Sequence, residues 1–164
     1  MGALESALSS DSTEALTLFG RALILANDPQ SAERMLQDAT RRRPVDPAAY
    51  VALADAAERI GHYDIARNAL ADHLAVDVEL DEHRIAAEDT RLATLSLRLN
   101  DFASAARYFL ASADAVEDAT TLTRAAEAQW RAGAADAARA TLQRALDRDP
   151  HSAAAIALKQ RLER

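Results

Sequence analysis

The chain has 164 residues, room for one domain rather than two of ordinary size, with a formal charge of −7 and no cysteine. The missing thiols exclude disulfides, thiolate catalysis and cysteine-ligated metal. The net negative field, with a pI near 5.1, repels phosphate backbones and anionic lipid surfaces, so nucleic acid is not an expected partner. Hydrophobic residues make up 49% and aromatic ones only 4%, with four Gly and four Pro, a composition that favours helix nearly throughout. No stretch alternates with the period of two that a strand would need. No apolar run approaches the roughly 20 residues that cross a bilayer, so direct membrane insertion is not expected. The N-terminus lacks the basic and apolar regions of a secretory signal. Met1-Gly2 with Ser6 fits the loose myristoylation pattern, which is short enough to arise by chance or from cloning.

In chain order, the first helix pair is expected near 14–26 and 30–42. Asp28-Pro29 supplies an N-cap acceptor and a first-turn proline for its second helix. Arg41-Arg42-Arg43 stands before Pro44, where the helix should end and cations complement its dipole. Asp46-Pro47 opens a second pair, near 48–60 and 64–76, whose turn falls at Gly61 in the left-handed conformation. The junction ADHLAVDVELDEHR, residues 71–84, is irregular: Asp81–Ile85 is an insertion that lengthens the next helix by about one turn, with Asp81 as its N-cap. A third pair is expected near 82–99 and 103–115, turning at Asn100, and a fourth near 120–132 and 136–147. Ser152 then caps a last helix, SAAAIALKQRLER.

These pairs are copies of one unit. Leu146, Ala145, Leu142, Ala138 and Gly133 precede Pro150, as Ala39, Leu36, Ala32, Gly20 and Phe19 precede Pro44. Tyr50, Leu53, Ala54, Gly61, Tyr63, Ala66 and Leu70 form a third ladder, and Leu92, Ala93, Asn100, Phe102, Ala105, Phe109 and Ser112 a fourth. The chain thereby resembles the tetratricopeptide repeat family, whose roughly 34-residue helix-turn-helix unit places bulky and small residues at fixed positions before a proline. In that register the repeats are 13–46, 47–80, 86–118 and 119–152, followed by a capping helix over 152–164, all within a single domain 1–164. The resemblance implies an all-α fold, a right-handed α-solenoid of antiparallel helix pairs. In it each pair is too thin to bury its own apolar face and stacking neighbours complete the core. Phe19, Tyr50, Tyr63, Phe102 and Phe109 fall at bulky structural positions and are expected in the core, with Tyr108 on the outer face.

The resemblance also implies a function: a scaffold or adaptor whose first helices line a concave groove for a peptide segment of a protein partner. Carried over by register, the groove contains Arg21, Asp55, Arg59, Arg91, Arg98, Arg124, Glu127, Trp130 and Arg131. Arg91, Arg98, Arg124 and Arg131 recur at the same two positions of consecutive repeats, with Trp130 between the rows. That composition suits an acidic or C-terminal segment, because guanidinium forks bind carboxylates bidentately and exposed Trp and Arg supply interface hot spots. Arg59, Arg98 and Arg131 also stand in last helical turns, where the dipole alone favours them. Thr17, Arg21 and Asp55 depart from the Lys and Asn clamp by which some family members bind chaperone C-termini.

The alternative function is self-assembly, with the segment GALESALSS, residues 2–10, or the capping helix packing on another copy in a larger or membrane-anchored bacterial assembly. His73, His83, Asp72, Asp77, Asp81 and Glu82 offer metal-ligand chemistry at a spacing that fits no metal motif, so neither metal nor cofactor is expected. No nucleophile, phosphate loop or acid–base arrangement marks an enzyme. Enrichment in Ala and Arg reads as a bacterial coding sequence. The cytoplasm is the expected compartment, with a periplasmic domain of an anchored protein as the alternative.

Overall fold

The computed structural model describes residues 12–116 and 118–163; GALESALSS and the Met1-Gly2 pattern lie outside them. Among the described residues the chain is all helix and turn, and it divides into two compact units, one ending at Val78 and the other beginning at Glu79.

The first unit contains α1 (Thr13–Leu25), α2 (Pro29–Arg41), α3 (Pro47–Ile60) and α4 (Tyr63–Val76). Each start is fixed locally. The Ser12 hydroxyl accepts from the Ala15 N–H at 3.0 Å, and the Asp28 and Asp46 carboxylates accept from Ser31 and Ala48 N–H at 3.2 and 3.0 Å, replacing bonds that a first turn cannot make for itself. α2 packs on α1 and α3, α1 also reaches α3, and α3 pairs with α4. The contact surfaces are alanine-rich: Ala32, Leu36 and Ala39 of α2 and Ala49, Ala54 and Ala56 of α3 have no exposure, so helix axes approach closely around a few large side chains. Gly20 is one such approach, because a Cβ there would meet Leu36 Cδ2 at 2.6 Å. His62 gives α4 no side-chain cap; its Nδ1 lies 2.8 Å from Glu33 Oε2 and ties α2 to the α3–α4 turn.

One bulky position expected in the core is open. Phe19 is 58% exposed, beside Leu18 at 64% and Leu25 at 86%, rather than part of the core. Leu53 holds the same register position in α3 and is 6% exposed, since α2 packs before α3; no described helix precedes α1. His73, at a position where the other second helices carry Ala39, Ser112 and Ala145, is 2% exposed, with Nε2 3.3 Å from Asp77 Oδ2.

The second unit contains α5 (Glu82–Arg98), α6 (Phe102–Ala115), α7 (Ala119–Arg131), α8 (Ala135–Arg148) and α9 (Ala153–Leu162). At 17 residues α5 exceeds the 13 or 14 of the other paired helices, the extra turn that the insertion predicts. Asp81 accepts from Arg84 N–H at 2.8 Å, Asp118 from Thr121 N–H at 2.7 Å and Ser152 from Ala155 N–H at 3.4 Å. α6 packs on α5 and α7, α7 pairs with α8, and α9 closes on both α7 and α8. One cluster gathers Ala93, Ala105, Ala106, Phe109, Ala125 and Ala128, and another Ala126, Leu142, Ala155 and Leu158. Tyr50 and Phe109 are buried as expected, while Tyr63 and Phe102 are half-buried. Tyr108, expected on the outer face, is half-buried against the first cluster, because alanines leave a shallow surface that its ring flank can cover.

The repeat is visible in the backbone itself. Asn27 (φ 60), Gly61 (φ 81), Asn100 (φ 58) and Gly133 (φ 85) each stand in the left-handed conformation between the two helices of a pair. Nothing lies within 4 Å of a Cβ built at either glycine, so the turn demands the dihedral rather than the space, which is why asparagine serves twice.

Asp89 on α5 is only 8% exposed. Burial pushes its carboxyl above the ordinary range, and the neighbouring Glu88 adds to the effect. The folded state therefore binds this proton more tightly than the unfolded chain does. Its stabilising effect is complete below the ordinary carboxylate pKa of about 3.9 and is lost as the pH rises through the folded value. Asp89→Asn is expected to raise the melting midpoint by a few degrees at neutral pH and to lose that advantage near pH 3, which paired calorimetric scans would read.

Candidate partner-binding surface

α7 carries four of the residues that the register assigns to a groove: Arg124, Glu127, Trp130 and Arg131. Its start is set by Asp118, whose carboxylate accepts from Thr120 N–H, Thr121 N–H and the Thr121 hydroxyl. Partial burial opposes ionisation of this carboxyl, but those hydrogen bonds together hold it below the usual range, so the cap is charged at neutral pH and completes the helix N-terminus.

From that fixed start, Arg124 and Arg131 stand two turns apart on one face. The Arg124 guanidinium carbon lies 4.4 Å from the Phe109 ring centre, and Nη2 donates to Thr94 Oγ1 of α5 at 3.1 Å. The Arg131 guanidinium carbon lies 4.0 Å from the Phe102 ring centre. Both cations thus rest on rings of α6. A guanidinium on an aromatic face gains about 0.5–1 kcal/mol at an exposed site and keeps in-plane N–H groups free to donate. Among the described residues no carboxylate pairs with either of them.

Trp130 divides its surface between two environments. It is half-buried against Ala126, Leu142, Ala155 and Leu158, and the Arg161 guanidinium carbon of α9 sits 4.6 Å from its ring centre. Arg161 Nη1 also donates to Glu127 Oε1 at 3.4 Å. The structure therefore brings Arg124, Glu127, Trp130 and Arg131 together along α7, with Thr94 on one side and Arg161 on the other. Arg91 is half-buried and Arg98 exposed on α5, and both already engage other groups of the chain.

In the first unit, Arg21 is exposed on α1 and Arg59 is exposed in the last turn of α3, while Asp55 is half-buried and engaged. The register places Thr94 in the groove as well; sequence reasoning missed Arg161 and the roles of Phe102 and Phe109 as platforms. The repeat of Phe102 and Phe109 seven residues apart, ahead of Arg124 and Arg131 at the same spacing, was the available signal for the two stacks.

His73 is buried beside Asp77 and His83 is exposed. Among the described residues no group of three His, Asp or Glu side chains could hold a metal ion, and no helix is long and apolar enough to cross a membrane.

The family model of the tetratricopeptide repeat matches residues 17–76 and 90–153. Solved structures share the fold at low identity. YrrB, a tetratricopeptide protein with an unusual peptide-binding site, is 17% identical with a TM-score of 0.66 over 94% of this chain and 76% of its own. MamA 41-end from Desulfovibrio magneticus RS-1 is 18% identical, with a TM-score of 0.62 over 85% of this chain and 77% of its own. PilW, a widely conserved type IV pilus biogenesis factor, is 19% identical, with a TM-score of 0.61 over 93% of this chain and 69% of its own. No curated protein sequence matches the chain.

Proposed function

Since the chain belongs to the tetratricopeptide repeat family, we propose that it is a non-enzymatic protein-interaction scaffold, a single domain over residues 1–164 that holds an acidic or C-terminal segment of a protein partner. The observation that carries this reading is the pair Arg124 and Arg131. Each sits over an aromatic ring and neither is neutralised by a carboxylate among the described residues. A cation held in place with open donors loses little freedom when a carboxylate arrives, so it favours binding more than a mobile one. Arg91 and Arg98 supply further positive charge on α5, and Arg21, Asp55 and Arg59 are the corresponding candidates in residues 12–78. YrrB has a peptide-binding site, and a role of that general kind is read here in the cytoplasm.

Arg91, Arg98 and Arg124 replaced together by Gln test the reading. Capture of the native partner from cell extract is expected to weaken at least tenfold, since charge-assisted hydrogen bonds contribute about 1.5–3 kcal/mol each. Unchanged capture by the triple variant would sink the groove mechanism.

Self-assembly is the second reading, and the exposed Leu18, Phe19 and Leu25 on α1 favour it. A mass by light scattering that grows with concentration, and stays at one chain in Phe19→Glu, supports it; a constant monomer mass removes it.

A further inference from the structure

Arg161 belongs to the capping helix, outside the residues that the repeat register assigns to a groove, yet its guanidinium is held twice. It lies 4.6 Å over the Trp130 ring, and Nη1 donates to Glu127 Oε1 at 3.4 Å. The side chains of Arg161 and Glu127 are 51% and 45% exposed, so solvent and ligand reach both. Among the described residues, Nε and Nη2 of Arg161 have no partner. The arrangement repeats the Arg124 and Arg131 stacks, but here the ring belongs to α7 and the cation comes from α9. Its one carboxylate contact is an exposed, long, single-pronged pair, which is weak and readily exchanged. A bidentate carboxylate using Nε and Nη2, or displacing Glu127 from Nη1, makes the better-aligned contact.

We propose that Arg161 is a partner-binding residue: it takes a carboxylate of the bound segment at the Trp130 end of the surface, and Glu127 is the internal stand-in that this carboxylate competes with. This rests on the reading that the α7 surface binds an acidic segment. It adds that the capping helix is part of the recognition surface, so that binding and the docking of α9 favour each other reciprocally.

The probe is a fluorescein-labelled decaglutamate peptide, with decaglutamine as control, followed by anisotropy at low salt. Arg161→Gln is expected to weaken decaglutamate binding about fivefold to tenfold, and Arg161→Lys, which keeps the charge but loses the planar guanidinium fork, to fall between. Glu127→Gln is expected to tighten binding at least twofold, and to lose most of that effect in the Arg161→Gln background. The inference is overturned if Arg161→Gln binds as the parent does, or if Glu127→Gln acts equally in both backgrounds, which general charge repulsion alone would produce. Should Arg161→Gln shift Trp130 emission, as an undocked α9 would, the Glu127→Gln variant decides, because it leaves Arg161 in place: tighter binding supports the inference, and unchanged or weaker binding overturns it. A parent protein that binds decaglutamate no better than decaglutamine overturns the acidic-segment reading itself, which the variant results alone would leave standing.

Discussion

Phe109→Ala is expected to lower the stability of the unit formed by residues 79–163 by about 3–5 kcal/mol. The ring has no exposure, and its buried neighbours in the cluster are Ala93, Ala105, Ala106, Ala125 and Ala128. Alanines have no side-chain freedom with which to fill a void, and they sit on three helices whose backbones are already close. The cavity therefore stays open and the transfer and cavity costs add. A domain holds only about 5–15 kcal/mol in total, so a large share would go with one side chain. The same substitution removes the platform under Arg124, so any partner affinity that depends on a pinned guanidinium should fall even where the variant remains folded. Urea unfolding followed by circular dichroism gives the first quantity. A loss below about 1 kcal/mol would show that the cluster collapses around the missing ring, contrary to the close approach described. Phe109→Leu, which keeps most of the apolar volume, should recover the greater part of the stability.

Ala155→Glu is expected to undock α9 while leaving the preceding helix pairs in place. Ala155 has no exposure and meets Ala126, Leu142 and Leu158, so a carboxylate there would be buried without a partner. The cost of several kcal/mol is more than a 10-residue terminal helix gains by packing. Terminal elements detach before internal ones because they have one neighbouring interface rather than two. The chain contains a single tryptophan, and it lies under Arg161 at that interface. Undocking should shift its emission to the red and speed hydrogen exchange in residues 153–162, with little change in residues 82–115. Protection of α9 equal to that of the parent protein would mean that the helix is held by something other than the Ala155–Leu158 face.

These two residues also mark where local reading stops. The N-caps at Asp28, Asp46, Asp81 and Ser152, the end of α2 before Pro44, the left-handed turns at Gly61 and Asn100 and the added turn of α5 were all legible, with helix ends within a residue or two. Each depends on groups no more than about four residues apart, for which spacing in the chain is spacing in space. Phe19 was misread because burial is not a property of a register position alone. The same position is covered in α3 by the helix before it, and no described helix does so for α1.

For the surface along α7, the sequence supplied the cations and Trp130 in their repeating order. It did not supply the partners that fix them. Arg124 meets Phe109 and Thr94, Arg131 meets Phe102, and Trp130 meets Arg161, contacts made across helices whose relative position no local rule specifies. What the sequence determined by itself is therefore the helix pair and its repetition, because caps, turns and 3.6-residue periodicity act within one or two turns of backbone. What only the tertiary structure decided is which of those side chains remain open. A charge that has found a ring and no carboxylate differs from a paired one only through neighbours tens of residues away.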